Sequence, residues 1–186
     1  MREQITITLK INQKILKVLN DIRKNMDDID KKILNILQEN DKTQYQRIAK
    51  QLDLGASTVH YRIKKLIQQG IVTSFSAIID PEKVGYATSA VIGLNVDPLK
   101  MHEIARQLTT YDEVQLVTTS SGDHDIIINI LAQDGKHLWR FINEHIKPIE
   151  GVEKKIHVST YLDIYKRTNM INLKTDDETT THQDLE

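Results

Sequence analysis

The chain has 186 residues, a net charge of −1 and no cysteine. This length allows two small domains, each able to bury a core. The absence of cysteine excludes a disulfide framework, a thiolate metal site and a cysteine nucleophile. No apolar run approaches the roughly 18 residues of a membrane span, and no signal-peptide pattern opens the chain, so we expect a cytoplasmic protein without membrane contact.

The small net charge hides an asymmetry between the two halves of the chain. Residues 1–80 hold 14 Lys and Arg against 9 Asp and Glu, a net of +5. Residues 81–186 hold 11 against 17, a net of −6. Such a split is typical of a nucleic-acid-binding half joined to a half with another function.

Residues 1–25 form an N-terminal extension that we expect to be partly helical. Its apolar residues alternate first and then follow helical spacing: Ile5, Ile7, Leu9 and Ile11, then Ile15, Val18, Leu19 and Ile22. One interpretation is a strand leading into an amphipathic helix that packs on the protein or on a partner. The other is a misplaced start codon, since Met26 opens the region that follows. The sequence leaves both open.

Residues 26–79 show the pattern of a three-helix DNA-binding domain. Asp27 can cap a helix beginning at Asp28, a second helix is predicted over 45–52, and a turn containing Gly55 leads to a third that ends near Gly70. The third helix carries one apolar face, formed by Val59, Ile63, Leu66 and Ile67. The β-branched run over 71–79 then predicts a strand, which completes a winged helix-turn-helix.

The opposite face of the third helix predicts the contacts to double-stranded DNA. It carries hydroxyl, amide and amine groups and no acidic residue, which suits phosphates and base edges. The predicted DNA-binding residues are Ser57, Thr58, Tyr61, Arg62, Lys64 and Lys65. We expect Arg62 and Lys64 to anchor the DNA backbone. The alternative interpretation of this face is a solvated basic helix surface.

A hinge over 80–86, with Pro81 and Gly85, separates this domain from a second one over 87–168. Strands are predicted over 86–96, 114–120, 125–132 and 152–167, and helices over 98–108 and 135–146. The order β-α-β-β-α-β is that of a ferredoxin-like sandwich, so the fold class is α+β. The strand over 125–132 is apolar on both faces, which predicts that the sheet face without helices is buried in a homodimer.

The turn between the two middle strands predicts a small-molecule site. Ser120, Ser121, Gly122, His124 and Asp125 are the predicted effector-binding residues. Backbone N–H groups and hydroxyls suit the carboxylate of an amino acid, and a carboxylate suits its ammonium. A metal site and plain turn structure are the alternatives. The tail over 174–186 is polar and is expected to be disordered. No cofactor motif and no catalytic constellation is visible.

In its motifs and domain order, the chain resembles the Lrp/AsnC (feast/famine) transcriptional regulators. The resemblance rests on DDIDKKILNILQEND, RIAKQLDLGASTVHYRIKKLIQQGIV and IDPEKVGY, and on the glycine-x-x-aspartate turn from Gly122 to Asp125. It implies dimers, often in rings of dimers, that bind DNA near promoters and hold an amino acid near this turn. Asp125 is expected to bind the ammonium group. Gly55 stands where the family usually has serine, and His124 where it usually has an aromatic residue.

Three classes of function remain open from the sequence. The first is a sequence-specific transcriptional regulator that responds to a small molecule, expected to be an amino acid. The second is an architectural DNA-binding protein of the same fold that ignores small molecules. The third is an enzyme resembling the siroheme decarboxylases, which share this fold; the basic face of the third helix argues against it.

Overall fold

The computed structural model describes residues 26–40 and 42–175, so the N-terminal extension over 1–25 and the tail over 176–186 lie outside it. The chain divides into two compact units. The first contains the residues up to Ala77 and, again, those from Thr168 onward, and the second spans Ile78–Arg167. The second domain predicted over 87–168 is therefore extended at its start, and the hinge over 80–86 belongs to it.

The first unit contains three helices: α1 (Asp28–Glu39), α2 (Tyr45–Gln51) and α3 (Ala56–Gln68). Asp27 and Asp30 form a capping box, in which each side chain accepts from the other residue's backbone N–H, and this fixes the start of α1. Buried side chains from the three helices make one core: Ile33, Leu34, Leu37, Ile48, Ala49, Val59, Ile63 and Leu66. Ile67 differs from the prediction, since it is 44% exposed.

Two left-handed residues set the turns around α3. Asp53, with φ 54°, lies in the turn that precedes it, and Gly70, with φ 69°, follows it. The backbone N–H groups of Ile71 and Val72 then donate to the carbonyl of Leu66.

The prediction of a strand over 71–79 was wrong. These residues are all described by the structure, and none of them lies in a strand. β-branched residues favour an extended backbone, but a strand also requires a neighbouring backbone with which to form a ladder.

The second unit is a four-stranded antiparallel sheet with helices packed on it. Its elements are β1 (Thr88–Leu94), α4 (Met101–Leu108), β2 (Val114–Thr119), β3 (Ile126–Ala132), α5 (Gly135–Phe141) and β4 (His157–Thr160). The strand order is β2-β3-β1-β4, which confirms the predicted βαββαβ layout. The helix predicted over 135–146 continues past α5 as a π-helical turn, Ile142–Ile146.

Alternation along β1 and β3 separates the two faces of this sheet. Ile92 and Ile128 are fully buried in the core with the helices, whereas Ile127 and Asn129 lie on the other face and are half-buried. The last strand was predicted over 152–167 but is only four residues long. Its ladder covers Ala90 to Gly93 of β1, and residues 161–167, which the prediction placed in the strand, are exposed.

Candidate nucleic-acid interface and effector turn

The exposed face of α3 displays most of the predicted DNA-binding residues. Ser57, Thr58, Tyr61 and Lys64 are exposed, with Tyr61 at 68%, and Lys65 is half-buried. The apolar side chains at Val59, Ile63 and Leu66 hold the opposite face of the helix in the core. The helix therefore presents hydroxyl, phenol and amine groups to solvent on a surface fixed by packing.

Arg62 occupies a different environment from the one predicted. Its Nη1 lies 2.8 Å from Asp27 Oδ2 and 2.7 Å from Asp30 Oδ1, so the guanidinium ties α3 to the start of α1. The side chain of Asp30 is only 4% exposed. Helical spacing placed Arg62 on the flank of the basic face, but the two carboxylates, more than thirty residues earlier in the chain, determine its contact.

The ion pair also shifts the pKa values of Arg62 and Asp27. Hydrogen bonding to Asp30 and then to Asp27 raises the pKa of Arg62 above its ordinary value, although partial burial opposes this. Burial raises the pKa of Asp27, but hydrogen bonds from the Asp30 backbone and from Arg62 outweigh it and leave that pKa lowered. The contact of Arg62 with Asp27 is therefore between a guanidinium and a charged carboxylate at neutral pH.

His60 belongs to the exposed face of α3 and was missed by the sequence reasoning. Its ring stacks on that of Tyr45 in α2, with centroids 5.5 Å apart and planes at 24°. The signal was available, because position 60 lies three residues after Ser57 and four before Lys64, on the same helix face. The pair joins the two helices of the helix-turn-helix at their surface.

The turn over 120–125 is held by hydrogen bonds of its own. The backbone N–H of Ser120 donates to the carbonyl of Asp125 at 2.9 Å, and the N–H of Gly122 donates to Ser120 Oγ at 3.1 Å. Asp125 Oδ2 accepts from the N–H of Val96 at 2.9 Å, which ties the turn to the end of β1. Ser121 and Gly122 are exposed.

His124 packs across β1, against a residue that the sequence reasoning did not single out. A Cβ at Gly93 would lie 2.0 Å from His124 Cδ2, so only glycine leaves room for this ring. His124 Nδ1 lies 3.2 Å from Asn95 Oδ1. Its ring centroid is 4.8 Å from that of His157, which pairs with Gly93 in the sheet. Gly93, Asn95 and His157 thus join His124 around the turn.

Within residues 26–40 and 42–175, no group of three or more histidine or acidic residues is arranged to hold a metal ion. In the same residues, no helix is both long and apolar enough to cross a membrane.

Comparison with known families matches both units separately. Residues 26–73 match the family model described as winged helix-turn-helix DNA-binding. Residues 89–171 match the model described as Lrp/AsnC ligand binding domain. The two matches follow one another in the order in which the two units occur along the chain.

Curated relatives cover most of the chain. The HTH-type transcriptional regulator FL11 of Pyrococcus horikoshii is 37% identical over 153 residues, which span 82% of this chain and 100% of that protein. The regulator LrpA of the same organism is 36% identical over 129 residues, spanning 69% of this chain and 92% of that one. Both of these relatives are named as transcriptional regulators.

Solved structures share the fold at lower identity. E. coli AsnC superposes with a TM-score of 0.74 at 24% identity, covering 77% of this chain and 97% of that one. A Neisseria meningitidis regulator, described as an L-Met complex, superposes with a TM-score of 0.75 at 24% identity, covering 79% and 96%.

The order of a DNA-binding helix-turn-helix and a ligand-binding sandwich defines a class: transcriptional regulators with a sensing domain. Within that class, the extent of the identity to FL11 decides the family. The chain belongs to the Lrp/AsnC family, as the sequence motifs predicted.

Proposed function

We propose that this regulator reads DNA with the exposed face of α3, responds to an amino acid held at the turn over 120–125, and acts as a homodimer. The observation that carries the DNA-reading part is the exposure of Ser57, Tyr61 and Lys64 along one face of a helix whose other face is buried. Hydroxyl and phenol groups suit base edges, and the Lys64 amine suits a phosphate.

Two substitutions separate base contacts from phosphate contacts. Tyr61→Ala should reduce discrimination between a specific site and random DNA by roughly 1–3 kcal/mol, as expected for a lost base contact. Lys64→Ala should weaken binding to all sequences and reduce the salt slope by about one phosphate contact. Fluorescence anisotropy at several salt concentrations measures both.

Tyr165→Ala is a matched control, because Tyr165 is 96% exposed and lies in the second unit. It should leave both quantities unchanged. If Tyr61→Ala and Lys64→Ala also leave DNA binding unchanged, α3 is not the reading helix.

An amino-acid effector is supported by the groups that the turn offers. Asp125 carries a half-buried carboxylate for an ammonium group, and the exposed backbone at Ser121 and Gly122 can approach a ligand closely. One oxygen of Asp125 already accepts from Val96, so the other is the ammonium acceptor in this proposal. His124 replaces a family aromatic residue and contributes a polar wall beside Asn95.

Calorimetric titration with a panel of amino acids, methionine included, tests the effector. Asp125→Asn keeps an oxygen that can accept from Val96 and removes the charge, so it should abolish binding while the fold is retained. Asp123→Asn is the matched control, since Asp123 is an exposed acid in the same turn. Equal binding by wild type and Asp125→Asn would exclude the proposed role of Asp125.

A specific observation also favours the effector-independent architectural alternative. Ser120 and Asp125 make hydrogen bonds within the chain, and these contacts alone could account for the turn. If no amino acid in the panel binds the wild type, this alternative replaces the sensing proposal.

The dimer proposal rests on the sheet face that carries no helix. Ile127 lies there, half-buried between polar neighbours, whereas Ile128 points into the core of its own subunit. Ile127→Asp would place a carboxylate in the dimer interface and should weaken dimerisation by at least about a hundredfold.

Light scattering at micromolar concentration measures the mass. Leu99→Asp is the control, because Leu99 is 96% exposed outside the sheet. A wild type that is monomeric at this concentration contradicts the proposal.

A further inference from the structure

The segment over 170–175 returns to the DNA-binding unit after the sensing unit has been completed. Two side-chain amides of α1 hold it. Gln38 Oε1 accepts from the N–H of Ile171 at 2.7 Å, and Gln38 Nε2 donates to its carbonyl at 3.0 Å. Asn35 Oδ1 accepts from the N–H of Leu173 at 3.2 Å, and Asn35 Nδ2 donates to its carbonyl at 2.9 Å.

The spacings of helix and segment explain this arrangement. Residues i and i+2 of an extended chain present their backbone groups on the same edge, about 6.7 Å apart. Residues three apart on a helix have Cβ atoms roughly 5–6 Å apart, and both amides carry a donor and an acceptor. Asn35 and Gln38 therefore replace a neighbouring strand for two residues of the segment.

Apolar contact adds to these hydrogen bonds. Leu173 packs against the core cluster of the first unit, and Thr175 is only 3% exposed. Lys174 and Thr175 were predicted to be part of a disordered tail. That expectation stays a prediction; the residues that the amides of α1 hold, Ile171 and Leu173, lie just before this tail.

The helix that holds the segment is also the helix that holds α3. At its start, Asp27 and Asp30 bind Arg62 of α3. In its second half, Asn35 and Gln38 bind residues 171 and 173. α1 therefore contacts both the segment, through Asn35 and Gln38, and the helix proposed to read DNA, through Asp27 and Asp30.

We infer that residues 170–175 are a strap that braces α1 and thereby positions α3 for DNA. The chain connects the two units twice, after Ala77 and after Arg167, and the strap makes the second connection part of the DNA-binding unit. Asn35 and Gln38 are positioning residues for DNA binding. This inference depends on the proposed DNA-reading function for its effect on affinity, and it stands on the contacts alone for the docking of the strap.

Hydrogen exchange tests the docking in the full chain. The amides of Ile171 and Leu173 should exchange about ten times more slowly than in the Asn35→Ala/Gln38→Ala double variant. Alanine is the best helix former, so α1 should remain folded in that variant. Gln51→Ala, at an exposed amide ending α2, is the matched control and should leave the exchange unchanged.

DNA titration tests the positioning. The double variant should bind every sequence about three- to tenfold more weakly, with an unchanged salt slope because no phosphate contact is removed. Asn35→Asp keeps the acceptor for Leu173 but opposes its carbonyl with a carboxylate, so its effect should be intermediate.

Each outcome assigns the failure to one claim. If the amides of Ile171 and Leu173 exchange at equal rates in the wild type and the double variant, the claim that residues 170–175 are docked on α1 is wrong. Faster exchange with unchanged DNA affinity overturns its positioning role. A wild type that binds no DNA overturns the proposed function instead, while the exchange result still decides whether the strap is docked.

Discussion

The reading helix and the effector turn differ in how their functional groups are engaged. On α3, most of the side chains predicted to contact DNA are exposed, whereas Arg62 is drawn into an ion pair. In the turn, Ser120, His124 and Asp125 all make contacts within the chain. One site presents its groups to solvent from a rigid scaffold, whereas the other builds its shape from the groups that are expected to bind.

This difference follows from the local structure. A helix fixes the direction of each side chain through its backbone, so the buried face of α3 determines which groups are exposed. A turn has no such period, and its side chains are placed by contacts with distant residues such as Asn95 and Val96. Substitutions on the helix should therefore separate stability from function more cleanly than substitutions in the turn.

The largest expected effect on stability is at Arg62, the predicted DNA contact of α3 that is engaged in an ion pair. Arg62→Ala removes the partner of Asp30, whose side chain is 4% exposed, and should lower the free energy of unfolding by about 3 kcal/mol. The salt slope of DNA binding should stay as in wild type if the guanidinium serves the ion pair. Urea denaturation and anisotropy titrations measure the two effects.

A salt slope reduced by about one phosphate contact would instead support the sequence-based prediction that Arg62 anchors the DNA backbone. Lys64→Ala provides the reference for such a reduction in the same helix. In that case all six predicted residues of α3, Arg62 included, would serve DNA binding, and the contrast with the effector turn would hold for the whole helix face.

The next effect lies beside the turn. Gly93→Ala would place a Cβ 2.0 Å from His124 Cδ2 and should destabilise the second unit by about 2 kcal/mol as the ring is displaced. Adding His124→Ala should recover most of this loss, because the three heavy atoms nearest to that Cβ all belong to the His124 ring. Gly135→Ala is the control, since nothing lies within 4 Å of a Cβ there.

Thermal unfolding of the single and double variants measures this coupling. If Gly93→Ala is as stable as wild type, the conclusion that the His124 ring packs across β1 against Gly93 is wrong. If the double variant is no more stable than Gly93→Ala, the glycine has a different role from accommodating His124.

The sequence predicted what depends on periodicity and chain order. The buried positions Val59, Ile63 and Leu66 of α3, the N-cap at Asp27, and the βαββαβ order were all accessible in this way. Four features were not: the lack of a strand over 71–79, the length of the last strand, the Arg62 ion pair, and the hydrogen bonds of Asn35 and Gln38 to residues 171 and 173. Each of these depends on a partner distant in sequence, and no local pattern encodes which partner a side chain or backbone will meet.

The smallest expected effect concerns the pH dependence of the ion pair. The pKa of Asp27 is lowered from its ordinary 3.8, so its charged form stabilises the folded state above that value. Asp27→Asn retains a good N-cap and removes the charge. Because Asp27 is half exposed and Asp30 still holds Arg62, the loss at neutral pH should be about 0.5 kcal/mol.

This difference should shrink as the pH falls below the ordinary value of 3.8 and through the lowered pKa of the folded state, where the wild-type carboxylate is protonated too. Urea denaturation of wild type and Asp27→Asn at neutral pH and at about pH 3 measures it. In an Arg62→Ala background the pH-dependent part arising from the guanidinium should be lost. A difference that grows in acid would contradict the lowered pKa and, with it, the assignment of Asp27 as a charged partner of the reading helix.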